Sequence, residues 1–309
     1  MNKMKSIVQE KLPSKQERHK LFGSVQPGPK TKPTVKEQMV DLQNLNKDFL
    51  FDISAVGISN VKYPVIIHSE IEPKVQSTIG TFKLTSNITR MSKGTNMSRF
   101  LEEMEQSSRD GFHVSFSSLQ KFAVNLKNRL KQETATIDVS FPWFYERYGP
   151  DSDKRGLNHA DVSLYVSYHE DGTFTRKGTL SAMITTLCPC SKEISEYSAH
   201  SQRGIVTMEI LLTDDHNDES NDWKEILLHA AESNASAMIH PVLKRTDEKQ
   251  VTEIAYENPR FVEDIVRLVA ADLYEIPFIS KFKVTCRNEE SIHMHDAIAT
   301  IEFDKRNES

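Results

Sequence analysis

The spacing of apolar positions changes period several times along the chain, and each change predicts an element. Residues 160–168 alternate strictly, with Val162, Leu164, Val166 and Tyr168 on one face and polar neighbours between them. That two-residue period is the mark of a half-buried strand. Residues 63–68, 78–88 and 134–145 carry β-branched and aromatic side chains at the same spacing and predict three more strands. Between them the period lengthens. Residues 98–106 place Phe100, Leu101 and Met104 on one helical face, and residues 118–132 do the same with Leu119, Phe122, Ala123, Leu126 and Leu130. The order then recurs. A strand pair is predicted over 173–187 and 204–212, helices over 223–233 and 259–274 with a shorter one over 247–256, and closing strands over 281–286 and 297–303.

Each half thus reads as strands, then helices, then strands. Grouped strands beside helix pairs predict an α+β class with antiparallel sheets. The regular strand–helix alternation of a parallel sheet is missing, as are the G-x-G-x-x-G and G-x-x-x-x-G-K-[ST] phosphate loops. Residues 1–46 differ from the rest. They are rich in Lys, Gln, Pro and Ser and poor in large apolar side chains, so burial cannot offset the entropy of ordering them. They read as a flexible arm with a short helix over 35–45. The remainder divides into units over 47–170 and 171–309.

Composition narrows the function classes. The chain has 309 residues, of which 38% are hydrophobic, enough to bury a core, and no apolar run approaches the roughly 18 residues of a membrane span. The N-terminus carries charge without an apolar stretch, so no secretory signal is expected. A net charge of −5 argues against a nucleic-acid coat, while local cationic clusters still suit small anions. An odd count of 3 cysteines points to a reducing cytoplasm rather than a disulfide scaffold.

The sharpest local signal is Cys188-Pro189-Cys190 at a predicted strand end, followed by His200. Thiolate and imidazole are good zinc ligands, though C-x-C alone also fits two ordinary cysteines. Asp247-Glu248 offers carboxylates at a helix start, where the helix dipole alone would favour them. Glu263 lies at the polar edge of the 259–274 helix and, taken alone, reads first as a solvated carboxylate. His293 and His295 alternate beyond Glu290, so in a strand they would share a face, as a metal site, an acid–base pair or core packing would each allow. Lys93, Gly94, Thr95 and Arg99 precede a helix and suit a phosphate, or a plain helix start capped by Ser98.

Together these motifs resemble the prokaryotic type IB GTP cyclohydrolases. The resemblance runs through Lys93-Gly94-Thr95-Asn96-Met97-Ser98-Arg99-Phe100, Leu187-Cys188-Pro189-Cys190-Ser191-Lys192 and Ala199-His200-Ser201-Gln202-Arg203-Gly204. It continues through 243–249, 256–264 and Glu290-Ser291-Ile292-His293-Met294-His295, and so spans nearly everything after the arm. It implies tandem tunnelling-fold units, each an antiparallel sheet with helices on one face, in a homotetramer whose sites lie between units and subunits. It implies conversion of GTP and water to 7,8-dihydroneopterin triphosphate and formate, the first step toward folate and a feed for 7-deazaguanine bases. The cofactor implied is a divalent metal, zinc or manganese or iron in its place, with no nucleic-acid or membrane partner.

The resemblance also assigns roles. Cys188 becomes a metal-ligand thiolate, with His200 and Glu248 as metal ligands or near neighbours. Cys190 becomes the catalytic thiol facing the purine, in proton transfer or transient covalent help. Glu290 and His293 complete the metal site or act as acid–base groups. Glu263 anchors guanine, since one carboxylate can accept from the ring N–H and the exocyclic amine together. Lys93, Arg99 and Arg203 become triphosphate cations. Asn96 departs from the pattern, which commonly has histidine there. Two alternatives remain: a 7-deazaguanine nitrile reductase-like enzyme of the same fold, and a non-catalytic zinc-stabilised protein.

Overall fold

Eight strands pair in chain order into one antiparallel sheet. They are β1 (Ile53–His68), β2 (Val75–Ile88), β3 (Ala135–Tyr148), β4 (Arg155–Tyr168), β5 (Phe174–Leu187), β6 (Ser201–Leu212), β7 (Ile279–Glu289) and β8 (Ala297–Asp304). This computed structural model describes residues 12–23, 32–39, 43, 45–109, 111–214 and 222–308. The helices are α1 (Lys15–Phe22), α2 (Ser98–Ser107), α3 (Phe116–Leu130), α4 (Pro189–Ile194), α5 (Trp223–Ser233), α6 (Arg245–Glu257) and α7 (Val262–Glu275). The α+β class expected from the periodicity is the class observed.

Alternation decides which face is covered. In β3, Ala135, Ile137, Val139, Phe141, Trp143 and Tyr145 are buried while the residues between them are not. They meet α3, which packs on β3 and β4, while α5 packs on β5 and α7 on β7 and β8. The other face is polar. Lys83, Asp138, Tyr165 and Lys177 stand opposite one another across β2 to β5, and Glu209, Lys283 and Glu302 across β6 to β8. Opposite charges on neighbouring strands satisfy one another there. Partial burial still holds the Asp138 carboxyl above its ordinary range, against the pull of Lys83.

Because every connection reverses the chain, the sheet has two ends with different contents. One end carries the β1–β2 turn, the β3–β4 turn, the β5–β6 connection and the β7–β8 loop. The other carries the β2–α2 connection, the β4–β5 turn and the last residues of β6 and β8. Strands of 14 residues at about 3.3 Å per residue put roughly 40 Å between the ends.

The sheet is split at the first end. β4 and β5 pair only from Asp161↔Ser181 to Tyr168↔Phe174. Beyond that, the segment after α5 slips between them. Thr185 N–H donates to Ala237 O at 3.1 Å, Ser236 N–H to Thr185 O at 3.0 Å, and Asn158 Nδ2 to Ile239 O at 2.7 Å. α5 itself is fixed at both ends. Arg147 Nη2 meets buried Glu232 at 2.5 Å, and Trp223 lies against Gly178.

Several expectations need correction. The helix expected over 35–45 is a single 3-10 turn, Lys36–Gln38, and residues 40–42 and 44 lie outside the described residues. α1 was not expected, although Ser14 and Glu17 form a capping box that is visible in the sequence. Leu101 is exposed rather than buried with Phe100 and Met104. Buried Glu103 takes that place on the helix face, held by Arg129 Nε at 2.5 Å. Ser98 is the first helical residue of α2 rather than its cap, and the preceding Met97 makes no side-chain cap.

A Cβ on Gly178 would lie 2.9 Å from Trp223 Cζ3, and the buried indole has nowhere to go. Gly178→Val is therefore expected to destabilise the fold by about 1–3 kcal/mol through overpacking. Urea denaturation at fixed protein concentration reads it as a lower midpoint with an unchanged slope. An unchanged midpoint would show that α5 is not clamped at this point.

Candidate active site

The cysteine turn is built by the end of β5. Cys188 leaves the strand in an extended conformation and Pro189 occupies the first helical position of α4, where its missing N–H costs nothing. Cys188 is half-buried and Cys190, one residue into α4, is exposed. The β5–β6 pairing then returns His200 to the same place. Cys188 N–H donates to His200 O at 3.0 Å. Ser191 locks the turn, its Oγ donating to Cys188 O at 3.1 Å and accepting from His200 N–H at 3.2 Å.

The His200 ring is oriented by Gln202. Gln202 Nε2 donates to Thr186 Oγ1 at 3.2 Å, so its Oε1 faces His200 Nδ1, 3.0 Å away. The proton then sits on Nδ1 and the Nε2 lone pair is left for a metal, the usual arrangement behind a ligating imidazole. Ser291 Oγ also reaches Nδ1, at 3.3 Å, and ties the β7–β8 loop to the site. That loop carries Glu290, His293 and His295. Its base is held by Arg287, which pairs with Asp296 and with Glu289. His293 and His295 do not share a strand face as expected, because β7 stops at Glu289 and β8 begins at Ala297. Their rings lie parallel within the loop instead, with centroids 4.9 Å apart.

Two helix starts complete this end. Arg260 N–H donates to Leu187 O at 3.0 Å, which seats the start of α7 beside the cysteine turn. Asp264 accepts from Phe261 N–H at 2.9 Å and serves as the cap, so the exposed Glu263 is not spent on capping its own helix. In α6 the division is similar. Asp247 is fully buried and accepts from Ser152 Oγ at 2.6 Å and from the N–H groups of Asp151, Ser152 and Lys244 at 2.8 Å each. These bonds, the Ser152 hydroxyl first, hold its carboxyl well below the usual range. Glu248 beside it is exposed. The far end of α6 is tied to α4, where Lys192 Nζ donates to Tyr256 O at 2.5 Å.

Cys188, Cys190, His200, Arg203, Glu248, Glu263, Glu290 and His293 therefore all gather at one end of the sheet. Lys93 and Arg99 do not. They lie in and after the β2–α2 connection at the opposite end, where Lys93 Nζ donates to Phe22 O at 3.0 Å. Sequence reasoning missed Gln202, Ser191 and Ser291, which orient the histidine. Only Gln202 left a signal, two residues from His200.

Among the described residues of one chain, no three His, Cys, Asp or Glu side chains converge on a metal-sized point. The donor types still suit a metal. A thiol and an imidazole whose inner nitrogen is engaged by Gln202, leaving the outer one open, match a borderline divalent ion, and a carboxylate would widen the choice.

The class that the fold and site define is an antiparallel α+β sheet protein that gathers a thiol pair, an imidazole and carboxylates at one end. The profile described as "Type I GTP cyclohydrolase folE2" matches residues 39–299. The chain is 64% identical over 302 residues to "GTP cyclohydrolase FolE2" of Oceanobacillus iheyensis, covering 98% of this chain and 100% of that one. It is 53% identical to the protein of the same name from Bacillus subtilis over 296 residues, 95% of this chain and 96% of that one. The chain belongs to the folE2 family of type I GTP cyclohydrolases. Among solved structures, uricase from Arthrobacter globiformis overlays 81% of this chain and 93% of its own with a TM-score of 0.49 at 8% identity.

Gln202→Leu keeps the side-chain volume and removes the partner of His200 Nδ1, so metal affinity is expected to fall about 10–100-fold. Competition with a chromogenic chelator measures it, and an unchanged affinity would remove Gln202 from the site. Asp247 supplies a pH signature. Its carboxyl is depressed in the fold, so its stabilisation is present above the unfolded value of about 3.9 and is lost as pH falls through the lower folded value. The wild type is expected to exceed Asp247→Asn in stability at pH 5–8, with the gap closing below about pH 4 in urea titrations.

Proposed function

We propose that this chain is a metal-dependent GTP cyclohydrolase that converts GTP and water to 7,8-dihydroneopterin triphosphate and formate. The reading rests on family membership together with one structural observation. The Arg260–Leu187 hydrogen bond sets the start of α7, with Glu263, against the turn that carries Cys188 and Cys190. A carboxylate that can grip the guanine edge thus stands beside a thiol and a metal-capable pair.

Cys188 and His200, with Glu248 from the first turn of α6, would hold the divalent metal, zinc or manganese or iron. When bound, the metal supplies Lewis-acid activation of water at neutral pH. The remaining roles belong to the chain. Glu263 accepts from the guanine ring N–H and amine and fixes the base in the plane. Cys190 faces the five-membered ring and moves a proton or adds transiently as its bond opens. Glu290 and His293 exchange protons with the ring nitrogens. Lys93, Arg99 and Arg203 neutralise the triphosphate.

One chain cannot supply this set alone, because Lys93 and Arg99 stand roughly 40 Å from Cys188 along the sheet. The proposal therefore includes a homo-oligomer, a tetramer by family resemblance, in which one chain's β2–α2 connection reaches another chain's cysteine turn. It also takes residues 47–170 and 171–309 as the repeated units that assemble. Three free cysteines fit a reducing cytoplasm.

A metal-reconstituted assay tests the reading. Protein stripped with chelator receives zinc or manganese, then GTP, and formate is followed with pterin fluorescence. Both products appearing together and only with metal is the expected result. Folded, metal-loaded protein that gives neither would favour the reductase or the non-catalytic alternative. Cys190→Ala is expected to lose about 100-fold or more in turnover with metal content kept. Cys188→Ala is expected to lose metal and activity together.

A further inference from the structure

The first half of the chain contains a corner built like the cysteine corner of the second. In the second half, Arg260 N–H donates to Leu187 O at the end of β5, and α7 begins two residues after Arg260. In the first half, Val114 N–H donates to Ile66 O near the end of β1, and α3 begins two residues after Val114. A second bond, Ile66 N–H to Phe112 O at 2.9 Å, makes this corner firmer. Gly111 permits the approach with φ +93, where a side chain would strike Ile66. Matching Ile66 to Leu187 and Val114 to Arg260 aligns Ile67 with Cys188, Ser69 with Cys190 and Ser117 with Glu263. The reactive groups are replaced and the corner is kept.

The corner opens on a cavity of about 400 Å³, closed on its far side by the start of α5. That size lies in the range of small-ligand pockets. Its walls are Ile67, Val114, Phe141, Leu164 and Trp223, apolar surfaces that include two flat rings. Its rim is polar. His68 Nε2 lies 2.9 Å from His113 Nδ1, with the rings within 18° of parallel. The outer nitrogens, His68 Nδ1 and His113 Nε2, make no hydrogen bond among the described residues. The charges at the cavity are neutralised locally. Lys224 pairs with Asp222 at 2.5 Å, with side chains 10% and 6% exposed, and Lys74 lies 3.9 Å from Glu70. Among the described residues that line the cavity, no cation is left over for a polyphosphate.

We propose that this cavity is a second, non-catalytic ligand site for a planar nitrogen heterocycle of nucleoside size without phosphates. Resting on the guanine-binding reading of the second half, the proposal names what the repeated corner retained. The ring lies among Trp223, Phe141 and the aliphatic walls, and the two outer histidine nitrogens read its polar edge. With isoleucine at the position of Cys188 and serine at that of Glu263, the site binds without turnover.

Equilibrium dialysis of full-length protein with guanosine tests this, using Glu263→Gln to remove the catalytic anchor. The expected result is one guanosine per chain retained in Glu263→Gln. Adding His113→Ala, which removes a rim nitrogen from an exposed position, is expected to weaken it at least 10-fold. Adding Val75→Trp, which fills the mouth from an exposed position, is expected to do the same. Binding by wild type that vanishes in Glu263→Gln overturns the cavity site and leaves the anchor reading standing. Binding in Glu263→Gln that neither added substitution disturbs also overturns the cavity site, and with it the assignment of Glu263. No binding to either protein overturns the cavity site, while the GTP assay judges the catalytic reading separately.

Discussion

The unbroken antiparallel order of eight strands is the constraint from which the rest follows. Each turn must alternate ends, and each side chain must alternate faces. The first alternation gathers the β5–β6 connection, the β7–β8 loop and the start of α7 at one end of the sheet. The second commits one face to helices and leaves the other to cross-strand charge. A one-residue slip of β5 against β6 would exchange the core face for the polar one and break the bond between Cys188 and His200.

Where the sheet parts, the segment after α5 takes over part of its hydrogen bonding. The end of β5 leaves β4 and is taken up by Ser236 and Ala237 through Thr185 and Leu187. This insertion ties the end of α5 to the strand that delivers Cys188. Packing at Trp223, the Arg147–Glu232 pair and the geometry of the cysteine turn therefore belong to one connected body. The residues proposed to bind the ligand sit on its outer rim, while their neighbours hold the rim in place. Asp247 caps so that Glu248 is free, Asp264 caps so that Glu263 is free, and Gln202 engages the inner nitrogen so that the outer one is free.

Doubling of the strand–helix–strand order gives the chain two such corners with different fates. One carries Cys188, Cys190 and Glu263. The other carries Ile67, Ser69 and Ser117, and faces α5 of the same chain rather than an open end. A corner enclosed within its own chain has no second copy to complete it, whereas the open corner stands where another chain can reach.

Much of the fold was legible in the sequence alone. Alternation in 160–168 and helical spacing in 118–132 identify β4 and α3 because burying one face is a local demand, written residue by residue. The C-P-C turn, His200 and the E-x-x-H pair stood out as candidates because thiol, imidazole and carboxylate are the metal-binding side chains, and it was the ordered resemblance rather than their spacing that tied them together. The tertiary structure decided what depends on distant partners. It showed that Leu101 yields its place to Glu103 because Arg129 lies across from it, and that His293 and His295 belong to a loop because β7 ends early. It separated Lys93 from Cys188 by the length of a strand, and it set Ile66 in the position of Leu187. Spacing along the chain records which face a residue takes. Only the closing of strands onto one another determines which end of the sheet it reaches and what stands beside it there.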